Sequence, residues 1–206
     1  MMGIPPPTAL RRVEGTSARA LADLNARFED LQTVLRCCER LVAELKADGA
    51  DGLDGLDGVD GAVVEGLWTT ALLSYARCFS VGVTDTALTE ADLTATQPHG
   101  EVLDWHKVLL QLRDHYADRT ANPRERFSVG VALDDAGAAE GIAITSALQP
   151  LVDDVTVRQT GAIAYGLSEL VNGRIAALQE KVFGELKVMS AAELDKLSTL
   201  DIVEPD

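Results

Sequence analysis

Apolar residues recur at alternating steps of three and four from Leu21 to Leu45, by way of Leu24, Phe28, Leu31, Leu35, Cys38 and Val42. That spacing holds one stripe of a helix apolar over many turns, which is the pattern of a heptad seam. Thr16 or Ser17 is placed to cap its start, and Asp48-Gly49 to stop it. About 30 residues at ~1.5 Å each make a rod of roughly 45 Å. Such a rod needs a partner helix along most of its length, in the same chain or in a second copy. A broader apolar face returns between Ala62 and Phe79, at Val64, Leu67, Trp68, Ala71, Leu72 and Tyr75. Residues 81–98 read as a polar loop in which Thr89-Glu90-Ala91-Asp92 starts a short helical turn. A third helix is predicted from Gly100 to Asp118, and Pro123 ends any continuation.

The period then changes. Phe127, Val129, Val131 and Leu133 alternate with Ser128, Gly130 and Ala132, and after an Asp- and Gly-containing turn Ile142 and Ile144 alternate with Ala143 and Thr145. A period of two predicts a small antiparallel hairpin between helices. Two strands alone are marginal in water, so the hairpin is expected to lie against the bundle or to pair across a dimer. From about Asp154 a second long helix follows, its apolar side marked by Ile163, Leu167, Leu170, Val171, Leu178, Val182, Leu186 and Met189. Ser190 can cap a short terminal helix running through Leu200. The expected fold class is mainly α, a bundle of four to five helices with a small antiparallel β-hairpin. Residues 1–15, with Pro5, Pro6 and Pro7, read as a disordered lead-in. Residues 16–190 read as one helical domain holding an acidic Asp-Gly loop at 48–61 and the hairpin at 126–148. Residues 191–206 read as the short terminal helix and a frayed tail.

Charge narrows the function classes. The 206 residues carry 18 basic and 33 acidic side chains, for a formal net charge of −15. Such a surface repels polyanions, so RNA binding is disfavoured and an anionic membrane is a poor partner. Arg113, Arg119, Arg124 and Arg126 form one local basic cluster against that average. Aromatic residues are too sparse for a base-stacking platform. Cys37, Cys38 and Cys78 fit neither a disulfide framework nor a zinc pattern and read as reduced thiols of a cytoplasmic protein. The repeated Asp-Gly steps of the 48–61 loop invite a calcium reading, but Leu53, Leu56 and Val59 recur every third residue and break the alternation of oxygen ligands. Asp114 and Asp118 share a face without a histidine to complete a metal site, which favours a solvated acidic face. No cofactor and no metal are expected.

The chemistry-bearing segment is Trp105 to Pro123. His106 and Arg113 are seven residues apart, about 20° from superposition on a helix, so both belong to one stripe with Leu109 and Leu110 between them. An Arg ending an apolar stripe must be paired or functional. Arg113 therefore reads either as a structural partner of Asp114, Asp118 or a neighbouring carboxylate, or as a phosphate-binding relic. His106 on an apolar face reads first as a core histidine. Trp68, Tyr75 and Trp105 read as core or interface anchors.

Trp105-His106, Leu112-Arg113-Asp114, Thr120-Ala121-Asn122-Pro123 and Glu125, followed at once by a Val-Gly-Val strand, resemble the HEPN superfamily of helical domains. Ser74-Tyr75-Ala76-Arg77-Cys78-Phe79 adds to the likeness, which covers roughly residues 62–150. The resemblance implies a helical bundle that is commonly a homodimer, in a defence, toxin–antitoxin or mobile-element setting. In many members it also implies metal-independent RNA cleavage by an Arg, a polar residue and a His four to six positions after the Arg. An Arg steadies phosphate charge, and a His moves the proton of the attacking 2′-hydroxyl. Here Arg113 and Asp114 fit that motif, with His106 as a further member of a relic site. The motif His is missing: positions 117, 118 and 119 are Ala, Asp and Arg. His115 lies about 200° around the helix from Arg113, Arg119 is too basic to shuttle a proton, and an anionic Asp118 repels phosphate. The implied function is a non-catalytic dimeric interaction module with a protein partner. The alternatives are an endoribonuclease that uses His106 or Asp118, and a scaffolding protein with no site.

Overall fold

The computed structural model describes residues 10–47, 60–96, 100–118 and 125–200. Among them are six helices and two strands: α1 (Thr16–Ala47), α2 (Gly61–Cys78), α3 (Glu90–Ala95), α4 (Val102–Ala117), β1 (Glu125–Leu133), β2 (Ala139–Leu148), α5 (Asp154–Lys187) and α6 (Ala191–Leu194). The protein is mainly α with a small antiparallel hairpin. The Asp-Gly repeats at 48–59, the Thr120–Pro123 exit with Arg119 and Arg124, the first nine residues and the tail from 201 lie outside the described residues.

The partner of the first rod is in the same chain. α1 and α5, of 32 and 34 residues, pack along one another, and α2 packs on another side of α1. Because α1 faces two helices, its buried stripe is wider than the predicted seam. Leu24, Leu31 and Cys38 are buried as expected, but Val34, Cys37 and Leu41 join them, and Leu21, Phe28, Leu35, Val42 and Leu45 are only partly covered. α2 closes the other side of the core through Val64, Trp68, Ala71, Leu72 and Tyr75. Asp60, the residue preceding this helix, accepts hydrogen bonds from the amides of Ala62 and Val63 at 3.0 and 3.4 Å. That satisfies two of the orphan donors of the first turn.

α4 lies on α2. It begins at Val102 rather than at Gly100, because Gly100 has φ 89° and stands outside helical geometry. The short helix α3 is fixed from its own first turn. Asp92 accepts from the Thr89 amide at 2.8 Å and from the Thr89 hydroxyl at 3.0 Å, and it also takes a short charged bond from Arg174 of α5. Burial alone would raise the Asp92 carboxyl. The Arg174 and Thr89 bonds outweigh it and hold the group below its ordinary value.

One expectation needs correction and a second is narrowed. The terminal helix ends at Leu194, not Leu200. The chain beyond it turns and pairs with the lead-in, through the Arg12 amide on the Ser198 carbonyl at 2.8 Å and the Leu200 amide on the Leu10 carbonyl at 3.0 Å. Arg11 adds a 2.6 Å ion pair to Asp195, so residues 10–12 of the expected disordered stretch are tied down. The hairpin's two expected placements are narrowed to one. The hairpin forms as an antiparallel pair, with Val129 opposite Ile144 and Val131 opposite Ile142, and it does not lie against its own bundle: Phe127, Val129, Val131, Ile142, Ile144 and Leu148 are each more than half exposed. Its turn is well specified. Asp134 accepts from the amides of Ala136 and Ala138 at 3.0 and 2.7 Å, and Gly137 has the left-handed φ of 82° that the turn requires.

Candidate functional site

His106 and Arg113 both lie on the side of α4 that faces the bundle. His106 is 4% exposed and Leu109, one turn on, is 1% exposed. Arg113, a further turn along, keeps 31% of its side chain in solvent. The shared stripe therefore runs from core to rim. Because the axial rise is ~1.5 Å per residue, the two groups start roughly 10 Å apart.

The imidazole is fully engaged in the core. Its Nδ1 is 2.9 Å from the Tyr75 hydroxyl, and its ring is 4.3 Å from the Phe79 ring, centroid to centroid. Burial pushes the Tyr75 phenol above its ordinary pKa, so the phenol keeps its proton, and which of the two groups donates in this bond follows the imidazole tautomer. Burial lowers the His106 pKa; Lys107 lowers it further, and Glu90 opposes both. His106 is a neutral core histidine under ordinary conditions. The segment Ser74–Phe79, read above as part of a family likeness, supplies both aromatic neighbours.

Arg113 bonds to its sequence neighbour, with Nη2 2.7 Å from Asp114 Oδ1, while its buried Nε has no hydrogen-bond partner. Asp114 is 65% exposed on the side chain. His115 is exposed, as its position around the helix requires. Of the expected basic cluster, Arg126 is exposed on β1, and Arg119 and Arg124 lie outside the described residues. The described residues therefore bring His106, Arg113 and Asp114 onto one helix without bringing the imidazole to solvent. Two hollows are formed elsewhere. One, of about 340 Å³, lies between α1 and α5 beside Cys38, Glu39 and Arg158. The other, of about 240 Å³, lies on the hairpin beside Arg126, Ser128 and Thr145. Among the described residues no group of three or more His, Cys, Asp or Glu side chains could hold a metal ion, and no helix is long and apolar enough to cross a membrane.

Among the described residues the most completely bonded cation is one that sequence reasoning passed over. Arg27 of α1 is 6% exposed. Its Nη1 donates to the carbonyls of Arg77 and Cys78 at 3.1 and 2.7 Å, its Nη2 to Ser80 at 3.1 Å, and its Nε to the Thr86 hydroxyl at 3.3 Å. The guanidinium thus caps the C-terminus of α2, where orphan carbonyls and the helix dipole both favour a cation. Its sequence signal was faint: position 27 falls between Leu24 and Leu31 on the buried stripe, where an apolar residue is the usual occupant. The three cysteines are free and buried. Burial raises Cys37 and pushes Cys38 and Cys78 up to about 12, which makes all three poor nucleophiles near neutrality.

No protein-family model, no curated protein and no solved structure matches this chain.

Proposed function

We propose that this protein is a non-catalytic, homodimeric interaction module of HEPN-like architecture, which acts by holding another protein. The observation that carries the reading is the Tyr75–His106 bond inside the core. A group that moves the proton of an attacking hydroxyl must come within hydrogen-bond reach of it, and this imidazole is enclosed by Tyr75, Phe79 and the body of α4. Arg113, bonded to the anion next to it in sequence, retains a cation, and among the described residues no histidine reaches solvent on its side of α4. The formal charge of −15 also opposes the approach of a polyanion. The setting expected for such a module is defence, toxin–antitoxin pairing or a mobile element.

The deciding experiment is incubation of the purified full chain with structured and single-stranded RNA in EDTA, beside the Arg113→Ala variant. The expected result is no cleavage by either. Cleavage that the variant loses would overturn the non-catalytic reading and favour an endoribonuclease working from the α4 rim.

A further inference from the structure

The hairpin is apolar on one face, and among the described residues nothing covers it. Phe127, Val129 and Val131 on β1 share that face with Ile142, Ile144 and Leu148 on β2, since directly opposite residues of a ladder point the same way; Ser146 and, at the open end of the ladder, Glu125 complete it. The reverse face carries Ser128, Gly130, Ala132, Gly141, Ala143 and Thr145, all small. One side is thus built to be covered and the other to face water. A two-stranded ribbon with both faces in water is marginal by itself. Its apolar surface, on the order of several hundred Å², is of the size that marks an interaction site.

We infer that this apolar face is the contact between two copies of the chain, with the two ribbons stacked face to face across a twofold axis. The inference rests on the reading of the protein as a dimeric module and supplies the surface that such a module needs. Charge selects the occupant. A chain of net charge −15 meets repulsion over most ways of approaching its own copy, yet Phe127–Leu133 and Gly141–Leu148 contain no ionisable side chain at all. Two ribbons can therefore stack along those segments without opposing like charges, with Glu125 left at the open end of the ladder. Area agrees. Seven apolar residues of the ribbon, Leu133 included, are each more than half exposed, a contribution on the scale of the roughly 800 Å² per partner of a stable interface. Shape agrees as well. Val129–Ile144 and Val131–Ile142 form two β-branched rungs, which interdigitate at the ~10 Å spacing of packed sheets. A twofold contact demands such self-complementarity.

The test is the solution mass of the full chain by sedimentation equilibrium at high micromolar concentration, with circular dichroism as the check on folding. The wild type is expected at twice the 21.9 kDa chain mass. The double variant Val129→Lys with Ile144→Lys, at one rung of the apolar face, is expected at the single-chain mass with helical signal and melting unchanged, because the ribbon does not support the bundle. Ser128→Lys with Thr145→Lys, on the reverse face, is expected to remain dimeric. Both pairs make the chain less negative, so dissociation in the first alone reports the lost apolar face and not bulk repulsion. A dimer that survives the Val129 and Ile144 lysines, or one lost equally in both variants, would overturn this inference and leave the dimeric module standing. A monomeric wild type would remove both and assign the ribbon to a different protein. RNA cleavage by a protein that dimerises through the ribbon would sink only the non-catalytic reading.

Discussion

At the residue scale, His106 couples stability to pH. The folded chain holds the ring neutral by burial, with a pKa below the ordinary 6.5, whereas the unfolded chain protonates near that value. Between the two, the unfolded state binds more protons, so stability is complete above about 6.5 and falls as pH drops through the folded value. Thermal unfolding followed from pH 7.5 to pH 5 is expected to show a midpoint that declines on acidification. The variant His106→Gln, lower overall, should decline less over that interval. Equal slopes would mean that the ring is not held neutral. Asp92 acts with the same sign in a separate window, because its carboxyl lies below the ordinary 3.8 and its contribution is lost only at more acid pH.

At the element scale, the bond that matters most is the junction of α1 with the end of α2. Arg27 serves four acceptors with one planar fork, and a lysine offers a single point charge that cannot span them. Arg27→Lys should therefore destabilise the fold by about 2 kcal/mol, from unsatisfied buried carbonyls. The urea midpoint is expected to fall while the slope of the transition stays the same. A loss no greater than that of an exposed arginine such as Arg36 would show the cap to be dispensable. Element identity was largely legible in the sequence because periodicity separates helix from strand: the long rods and the hairpin were foreseeable from the spacing of Leu, Val and Ile, whereas the hairpin's register was not. What could not be read there was how many neighbours each rod has. Val34, Cys37 and Leu41 are buried because α1 serves two helices, a property of assembly and not of one stripe. The Arg27 cap and the Arg174–Asp92 bond were hidden for a related reason. They join positions 50 or more residues apart, and no local spacing announces them. At the candidate site the shared stripe of His106 and Arg113 was legible. The depth of the imidazole depended on Tyr75 and Phe79 from another helix.

At the scale of the whole molecule, charge and apolar surface oppose each other. Two copies of a chain with net charge −15 repel at long range, and salt at ~0.15 M already screens that repulsion beyond about 8 Å. Stacking of uncharged ribbons is itself insensitive to screening. Association is therefore expected to tighten as sodium chloride is raised from low to physiological concentration, measured as a dissociation constant over a salt series. Weakening with salt would point instead to charge pairing, the trend expected of a protein gripping phosphates.

The short bridge between Leu10–Arg12 and Ser198–Leu200 has a practical corollary. Since the first and last described segments lie side by side, a peptide linker joining them would close the polypeptide into a ring without displacing a helix. New termini could then be opened at the Asp134–Ala138 turn, presenting the two strands of the ribbon as separate arms.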